Sequence, residues 1–392
     1  MEKGWEHKKL GDLASFINGD RSSNYPSGTD FVDNGIPFIN AGHLSEGIID
    51  FTKMNYITQS KYESLRSGKI KENDILFCLR GSLGKSAIVP KGMEGAIASS
   101  LVIIRSNCAN SFYLKYFLNS NIVERNIQRS NNGSSQPNLS AKSVMEFSVP
   151  VPPIQIQNSV VEELDKINEL IRLKKEQLKD YDNLAQSIFY EMFGDPVVNE
   201  KGWEVKKLGE VCECITDGDH MPPPKSDTGI PFVTIGNVNK ASRQIDFDNT
   251  YFVPRDYFDN IPNIKKPRRG DVLYTVTGSY GIPIIINYDK EFCFQRHIGL
   301  HRPKDFMSPV FLCMWALNDR TKGQADMVAT GIAQKTVSLK SLRNFAIILP
   351  PLPLQQLFAQ RIELIEQQKA EIQSTIADLE TLLASRMQYW FD

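Results

Sequence analysis

The sequence repeats itself at half its length, and this repeat limits the possible folds more than any other feature. Residues 1–12, MEKGWEHKKLGD, return at residues 199–210 as NEKGWEVKKLGE, with nine of the twelve positions identical. Further blocks recur in the same order at offsets of 194 to 198 residues, namely NGIPFI and TGIPFV, NDILF and GDVLY, GSLG and GSYG, and NGSSQPNLSAKSVMEFSVPVPP and TGIAQKTVSLKSLRNFAIILPP. Because this period is far longer than the roughly 20–50 residues of a solenoid repeat, the chain is predicted to be a tandem duplication of one domain.

Each half is rich in predicted strands. Short runs of β-branched and aromatic residues alternate with Gly, Pro, Asn and Asp, as in GIPFIN, DILFCLRG and ASSLVIIRS, and later in GIPFVTIG, DVLYTV and IGLHR. This pattern predicts strands separated by turns. Helical patterns are few, and the clearest lie at residues 111–130 and 308–319. Each half is therefore predicted to be a strand-rich α/β or α+β module of about 150 residues.

A long helix is predicted after each module. The segments VPVPP and LPPLP end the modules, because proline cannot continue a strand ladder but can begin a helix. The next residues carry apolar positions at alternating intervals of four and three over more than four heptads, which is typical of a coiled coil. At about 1.5 Å per residue each helix would be roughly 50–55 Å long. The predicted seams are Val160, Leu164, Ile167, Ile171, Lys174, Leu178, Tyr181, Ala185, Ile188 and Met192, and Phe358, Ile362, Ile365, Lys369, Ile372, Ile376, Leu379, Leu383, Arg386 and Trp390.

The lysines in the two seams predict how the helices are oriented. In a symmetric antiparallel register Lys174 faces Glu371, and Lys369 faces Glu176. A parallel alignment would place these lysines beside Ile372 and Ile171 instead, at a cost of a few kcal/mol for each unpaired charge. We therefore predict an antiparallel coiled coil, and with it a pseudo-twofold symmetric molecule.

These patterns divide the chain into a strand-rich domain at residues 1–153, a helix at 154–197, a second strand-rich domain at 198–351 and a C-terminal helix at 352–392. The net charge of −1 is unevenly distributed. The first domain has 17 Lys and Arg against 14 Asp and Glu, and the second has 20 against 17, so each carries +3, whereas the helices carry −4 and −3. This weak contrast has the sign expected for anion-binding modules on a scaffold that does not bind anions.

Composition also indicates the environment. No window approaches the ~18 consecutive apolar residues of a membrane-spanning helix, and the segment MEKGWEHKKL lacks the apolar core of a secretory signal. The six cysteines are scattered, which suits reduced thiols, so we expect a cytoplasmic protein. Cys212 and Cys214, with His220 nearby, resemble half of a zinc site, but no second pair of ligands follows at the spacing of a zinc finger.

The sequence carries none of the catalytic motifs that we considered. It has no Asn/Asp-Pro-Pro-Tyr/Phe motif for amino-group methylation, no Gly-rich turn for S-adenosylmethionine, no GxxxxGK[ST] loop and no HExxH. His297 and His301 are four residues apart, but in a strand-like stretch this spacing does not make them co-ligands. We therefore predict no catalytic residue, no metal site and no cofactor bound by this chain.

Several loops are candidates for contact with DNA. GSLG and GSYG are either tight turns in which Gly supplies a positive φ, or loops whose Ser and N–H groups meet phosphates or base edges. The run KKPRR at residues 265–269 is either a solvated loop or a phosphate contact. Gln295-Arg296-His297 aligns with Ala98-Ser99-Ser100, as expected if the copies read different bases, and loop variation without function explains this equally well. The candidate DNA-binding residues are Arg80, Ser82, Lys85 and Gln136 in the first copy, and Lys265, Lys266, Arg268, Arg269, Thr277, Ser279, Tyr280, Gln295, Arg296, His297, Gln334 and Lys335 in the second.

The order of motifs points to a known family. GWE.KKLG is followed by GIPF, by an (N/G)D(I/V)L strand, by NGSSQPNLSAKSV or TGIAQKTVSLKSL, and by PP.Q.Q before a long helix, and the whole set occurs twice. This order resembles the specificity subunit of type I restriction–modification systems over essentially the entire chain.

The resemblance implies that each half holds a target recognition domain, and that each domain reads one half of a bipartite, asymmetric site in double-stranded DNA. The antiparallel helices would set the spacer, with half-sites roughly one helical turn (~34–36 Å) apart. Two modification subunits would bring S-adenosylmethionine and the methyltransferase site, and up to two restriction subunits would bring ATP and Mg. The chain itself would be non-catalytic.

Two other functions stay open. A fused methyltransferase–specificity chain would need a catalytic domain, for which the two modules leave no room. A coiled-coil adaptor that binds only proteins would share the helices. Salt-dependent binding to duplex DNA would distinguish the recognition subunit from such an adaptor.

Overall fold

The two halves of the chain contain similar elements in the same order. The computed structural model describes residues 4–21, 24–45, 47–130, 138–240, 242–331 and 334–392. The strands of the first half are β1 (Glu6–Lys9), β2 (Ala14–Asn18), β3 (Phe31–Val32), β4 (Ile36–Ile39), β5 (Leu44–Ser45), β6 (Ile48–Ile49), β7 (Asn55–Ile57), β8 (Ile75–Cys78), β9 (Ser86–Ile88), β10 (Ala96–Ile97), β11 (Leu101–Ser106) and β12 (Ser148–Val151). Its helices are α1 (Leu10–Leu13), α2 (Gln59–Ser64), α3 (Ser111–Leu118), α4 (Asn121–Ser130), α5 (Ala141–Met145) and the long α6 (Ile154–Phe193).

The second half repeats this series. Its strands are β13 (Glu204–Lys207), β14 (Cys212–Asp217), β15 (Ile230–Val233), β16 (Val238–Asn239), β17 (Gln244–Ile245), β18 (Tyr251–Val253), β19 (Val272–Thr275), β20 (Pro283–Ile285), β21 (Cys293–Phe294), β22 (Ile298–Pro303) and β23 (Ala346–Leu349). Its helices are α7 (Leu208–Val211), α8 (Arg255–Asn260), α9 (Pro309–Leu317), α10 (Asp319–Val328), α11 (Leu339–Arg343) and the long α12 (Leu352–Phe391).

Contacts divide the chain into two compact units, and each unit includes part of both long helices. Unit 1 comprises Met1–Lys175 and Ser374–Asp392, and unit 2 comprises Glu176–Gln373. In unit 1, a four-stranded antiparallel sheet has the order β2-β11-β8-β9, and a second sheet has the order β10-β4-β7-β3, in which β4 and β10 are parallel. Unit 2 has an equivalent four-stranded sheet, β14-β22-β19-β20, and a second sheet of three strands, β18-β15-β21, in which β15 and β21 are parallel. The predicted duplication of a strand-rich domain is confirmed.

The cores follow from the predicted strands. Some strands of the four-stranded sheets consist of consecutive apolar residues, and these strands are buried on both faces. Examples are β8 and β11 of unit 1 and β19 of unit 2. One face packs against the domain helices and a long helix, with Tyr113, Phe117 and Val160 in unit 1. The opposite face packs against the second sheet, through residues such as Ile39 and Leu76.

The helix predicted at residues 111–130 is two helices. It breaks at Asn119 and Ser120, because the Asn119 amide caps the end of α3 by donating to the Lys115 carbonyl, and the Ser120 hydroxyl donates to the Phe117 carbonyl. The second copy breaks at the matching place, where the Asn318 side chain accepts from the Arg320 N–H to begin α10. Side chains that bond to the nearby backbone compete with helix continuation.

A buried glutamine joins each long helix to the domain before it. In unit 1 the Gln157 amide accepts from the Asn110 N–H (2.9 Å) and donates to the Pro152 carbonyl (2.9 Å). In unit 2 Gln355 accepts from the Ser308 N–H (2.8 Å) and donates to the Pro350 carbonyl (2.8 Å). Both side chains are buried, so each amide replaces the water that these backbone groups would otherwise bind.

The long helices pack antiparallel in each unit, as predicted. In unit 1, Glu163 pairs with Arg386 and Lys175 with Glu380 (3.0 Å), so the residue numbers rise on one helix and fall on the other. In unit 2, Lys369 binds Asp182 (2.9 Å). We predicted that Lys369 faces Glu176. The acid on α6 that binds it is instead Asp182, six residues further along the chain.

Aromatic packing explains this register. Phe189 and Phe193 are fully buried against Phe358, with ring centroids 5.7 and 5.1 Å from it. The predicted seam positions next to them, Ile188 and Met192, are only half-buried. Burial of large aromatic rings is worth more than the choice between acidic partners for one lysine, and it therefore sets the register.

The remaining predicted seam residues are mostly buried where expected. Leu164, Ile171, Ile365 and Ile372 are buried, and Leu178 and Leu379 are half-buried. Of the charged residues proposed for the seam, Lys174 is half-buried, whereas Glu176 and Glu371 are exposed.

Candidate nucleic-acid interface

Three connections meet at one end of the four-stranded sheet in each unit. In unit 1 they follow β2, β8 and β10. The Leu79 N–H donates to the Ser100 carbonyl (2.9 Å), and Arg80 forms an isolated bridge with Asn138. The ends of β2 and β8 coincide here because both are antiparallel to β11, which starts at this edge.

Unit 2 assembles its equivalent connections in the same way. The Arg296 N–H donates to the Asp219 carbonyl (3.0 Å), and the Val276 N–H donates to the His297 carbonyl (2.9 Å). The Gly278 N–H donates to the Lys335 carbonyl (3.0 Å), which adds the loop after α10 to the group.

A repeated Gly-Asp pair makes this convergence possible, and we did not identify it from the sequence. Gly19-Asp20 and Gly218-Asp219 follow β2 and β14. A Cβ atom on Gly19 would lie 2.5 Å from the Ile97 carbonyl oxygen, and one on Gly218 would lie 1.8 Å from that of Phe294. Only glycine permits so close a backbone approach. The repeat of this dipeptide at an offset of 199 residues was the available signal.

The predicted residues of unit 1 lie partly at this edge. Arg80, Ser82 and Lys85 are exposed in the turn between β8 and β9. Gly81 and Gly84 have φ angles of 82° and 80°, so the turn needs its glycines for backbone geometry. Gln136 lies outside the described residues.

The structure brings six predicted residues of unit 2 together: Thr277, Gln295, Arg296, His297, Gln334 and Lys335. Arg296, Gln334 and Lys335 are exposed, and the others are half-buried. Two neighbours in the same turn are already engaged within the unit. Ser279 accepts from the Lys240 ammonium (2.6 Å), and the Tyr280 hydroxyl donates to Asp326 (2.7 Å).

The basic run at residues 265–269 does not form one surface. Lys265 lies near the end of β14, where it donates to the Gly218 carbonyl (3.3 Å). Arg268 pairs with Glu213 near the opposite end of that strand (3.0 Å), and Arg269 pairs with Asp289 (2.9 Å). Lys266 lies over the ring of Phe258, with its ammonium 4.8 Å from the ring centroid. Only Lys265 therefore belongs to the group of converging loops.

The two histidines that are four residues apart have separate environments. His297 is half-buried at the converging loops, where burial and the nearby Arg296 charge lower its pKa. Its neutral ring can donate one hydrogen bond and accept another. His301 is buried on β22 and stacks on Tyr274, and burial lowers its pKa to about 4.

Acidic side chains also surround the loops of unit 2. Asp219 accepts from the Tyr257 hydroxyl (2.9 Å), and Asp217 lies 2.9 Å from the His220 ring nitrogen. These contacts hold the segment after β14 in place. Within the described ranges no group of three or more His, Cys, Asp or Glu side chains is arranged to hold a metal ion. Nor does any described helix combine the length and apolar character needed to cross a membrane.

Comparison with known proteins gives consistent matches along the chain. A family model described as "Type I restriction modification DNA specificity domain" matches twice, at residues 2–180 and 200–380. The specificity subunit of the type I restriction enzyme MjaVIII from Methanocaldococcus jannaschii is 22% identical over 389 residues, which cover 93% of this chain and 87% of that protein. The EcoKI specificity subunit from Escherichia coli K12 is 20% identical over 393 residues, covering 93% and 82%.

Solved structures share the fold. A chain from a study of complex assembly and conformational transition in the type I R-M system matches with a TM-score of 0.61 and 21% identity, covering 99% of this chain and 97% of that one. The S subunit of the type I restriction-modification system from M. genitalium matches with a TM-score of 0.55 and 13% identity, covering 99% and 96%. The family matches take in most of the chain in two copies, and the sheets β2-β11-β8-β9 and β14-β22-β19-β20 of the two copies have equivalent strand orders, so the chain belongs to the family of type I restriction modification DNA specificity domains.

Proposed function

We propose that this chain is the non-catalytic DNA specificity subunit of a type I restriction–modification complex. Residues 1–153 and 198–351 are the two target recognition domains, and each contacts one half of a bipartite, asymmetric sequence in double-stranded DNA. Residues 154–197 and 352–392 are the helices that carry the partner subunits and set the spacer.

One observation carries this proposal: the two units hold different side chains on the same backbone arrangement. Where unit 1 has Ala98, Ser99 and Ser100, unit 2 has Gln295, Arg296 and His297. Arg, Gln and neutral His can form hydrogen bonds with base edges in the major groove, whereas Ala cannot and Ser reaches less far. The two loops have equivalent backbone contacts but different side chains. This difference fits a DNA site whose two halves have different sequences.

The charges at the converging loops fit contact with phosphates. Within the described ranges, no ion pair engages Arg80 of unit 1 or Arg296 and Lys335 of unit 2, and all three side chains are exposed. By contrast, Arg268 and Arg269 are held by Glu213 and Asp289. We assign phosphate contacts to the three unpaired cations, since they can bind an anion without first breaking an ion pair.

Methylation would come from modification subunits that bind S-adenosylmethionine, and restriction subunits would supply ATP- and Mg-dependent activity. The long helices offer apolar surface for such partners. On α6 of unit 1, Leu170 and Leu173 are 47% and 46% exposed, and on α12 of unit 2, Leu364 is 63% exposed. We assign these leucines to the partner contacts, because burying their apolar surface would stabilise the complex.

Exchange of one reading loop tests the proposal. The triple variant Gln295→Ala, Arg296→Ser and His297→Ser gives unit 2 the residues of unit 1. Expressed with the modification subunit, it should lose or change one half of the methylated sequence and keep the other half and the spacer. Methylome sequencing of the host measures this directly.

The matched control is Arg269→Ala, which removes a cation already bound to Asp289 and should leave the motif unchanged. An unchanged motif in the triple variant would contradict the assigned reading loop. A wild-type complex that shows no salt-dependent binding to duplex DNA would instead favour the adaptor that binds only proteins.

A further inference from the structure

In unit 1 the connection between β10 and β11 presents little that could read a base. Ala98 is buried, and Ser99 and Ser100 are short and half-buried. The equivalent connection of unit 2 carries the longer polar side chains of residues 295–297. If each unit reads one half of a DNA site, the reader of unit 1 must therefore come from another element at the same edge.

The segment after α2 reaches this edge. The Asp20 carboxylate, from the repeated Gly-Asp pair, accepts from the N–H groups of Arg66 (2.6 Å) and Ser67 (3.3 Å). The Gly68 carbonyl accepts from the Ile97 N–H (2.9 Å), directly before the connection between β10 and β11. Two sets of main-chain contacts thus hold this segment beside the converging loops.

The side chain of Arg66 is exposed at this place. Within the residues that the structure describes, no hydrogen bond or ion pair engages its guanidinium. A guanidinium is a planar fork of N–H donors that fits two neighbouring acceptors. Because the Arg66 main chain is fixed and its tip is free, the fork can bind such a pair of acceptors without first breaking an ion pair.

Unit 2 has no arginine at the equivalent position. Helices α2 and α8 both have six residues and end at equivalent buried residues, Leu65 and Ile261. The next residue is Arg66 in unit 1 and Pro262 in unit 2. Proline has neither a charge nor an N–H to donate, and Asp219 accepts from a tyrosine hydroxyl instead (2.9 Å).

The two units therefore bring an arginine to the same edge from different elements. In unit 2, Arg296 belongs to the connection between β21 and β22 itself. In unit 1, Arg66 approaches the matching connection from the end of α2, where Ser99 and Ser100 are small.

We propose that Arg66 reads a guanine in the half of the DNA site that unit 1 contacts. The arginine fork matches the O6 and N7 acceptors that guanine presents in the major groove, and this contact distinguishes guanine from the other bases. The inference rests on the proposed function, which brings duplex DNA to the converging loops.

Methylome sequencing tests the assignment. With the modification subunit present, Arg66→Ala should accept other bases at one guanine of the half-sequence that the triple variant at 295–297 leaves unchanged. The other half and the spacer should stay the same. Arg66→Lys keeps the charge but loses the fork, and it should relax the same position.

The matched control is Lys91→Ala, which removes an exposed cation that follows β9 at the opposite end of the sheet. This variant should keep the wild-type motif. Arg21 is exposed on the same connection as Asp20. A motif that relaxes in Arg21→Ala but not in Arg66→Ala would overturn the proposal, as would a unit 1 half-sequence without a guanine.

Binding to modified DNA identifies the contacted atom. 7-Deazaguanine pairs with cytosine but lacks the N7 acceptor. At the assigned position it should weaken binding of the wild-type complex about five-fold, and it should leave the affinity of the Arg66→Ala complex unchanged. Equal losses in the two complexes would show that Arg66 does not contact this base.

A phosphate contact would give a different result. Arg66→Ala would then weaken binding to all sequences alike, lower the salt dependence by about one phosphate contact and leave the motif unchanged. That outcome would overturn the guanine contact but not the proposed function. A wild-type complex without salt-dependent binding to duplex DNA would contradict the proposed function itself.

Discussion

Two buried aspartates occupy equivalent places at the starts of the central strands. Asp74 binds the Arg105 guanidinium through both oxygens (2.7 Å each) and accepts from the Lys71 N–H (2.7 Å). Asp271 binds Arg302 (2.9 and 2.8 Å) and accepts from the Arg268 N–H (2.9 Å). Buried ion pairs of this kind add little net stability, but breaking one leaves an uncompensated charge. They fix the strands whose opposite ends carry the converging loops.

At the same scale, His301 makes stability depend on pH. Burial lowers its pKa to about 4, whereas a histidine in the unfolded chain has a pKa of about 6.5. Between these values the unfolded chain binds a proton that the folded chain does not. The stability that neutral His301 contributes is therefore complete above about pH 6.5 and is lost as the pH falls through 4, by about 3 kcal/mol in total.

When the pH is lowered from 7 to 4, the free energy of unfolding of the wild type should fall further than that of the variant His301→Leu. The difference between the two decreases should be about 3 kcal/mol. Urea unfolding at both pH values measures this difference. His7→Gln, at an exposed position where the ring lies 3.2 Å from the Ser148 hydroxyl, is the control and should follow the wild type. A His301→Leu variant with the wild-type pH dependence would show that His301 does not stay neutral in the folded protein.

At the scale of elements, Lys369 is buried in the helix seam of unit 2 but is bound by partly exposed acids. It contacts Asp182 and Glu366, at 2.9 Å each. Lys369→Met should change the free energy of unfolding by less than about 1 kcal/mol, because apolar packing replaces the charge. The double variant Asp182→Ala and Glu366→Ala should cost at least about 3 kcal/mol, because it leaves Lys369 buried without a carboxylate and also removes both acidic partners of Arg243.

Thermal or urea unfolding measures both variants. Lys166→Ala breaks an exposed pair with Glu162 on α6 and should cost under about 0.5 kcal/mol. A Lys369→Met variant as unstable as the double variant would mean that the charge itself, rather than its desolvation, determines stability at this position.

Helices and strands were predicted well where the pattern that identifies them lies within one continuous segment of the sequence. The heptads of α6 and α12 and the apolar runs of β8 and β19 depend on residues close in the chain, so their periodicity is visible. The loop cations depend on partners that the chain brings from elsewhere. The pairs of Arg268 with Glu213 and of Arg269 with Asp289 span 55 and 20 residues, and nothing periodic marks them. The candidate site was therefore predicted only in part.

At the scale of the whole molecule, both long helices continue without a break across the boundary between the units. If they set the spacer, one heptad added to each, after Lys175 and after Gln373, should lengthen it. Seven residues add about 10 Å to a helix, which equals about three base pairs at ~3.4 Å per step. Methylome sequencing should then find the same two half-sequences, about three base pairs further apart.

The control places the same seven residues in the exposed turn after β20 at residues 288–291, where they should leave the spacer unchanged. A chain with lengthened helices that methylates the original spacer would contradict a role of the helices in measuring distance along DNA.

Gln157 and Gln355 have a consequence for inheritance. Each holds its domain through main-chain groups alone, at the start of α3 or α9 and at the end of the last strand. These hydrogen bonds do not depend on the side chains of the residues that they contact, whereas the core formed by Tyr113, Phe117 and Val160 does depend on side chains. A domain exchanged by recombination before either glutamine would therefore keep the main-chain junction whatever loops it carried, and would need apolar residues only on the face that packs on the long helix.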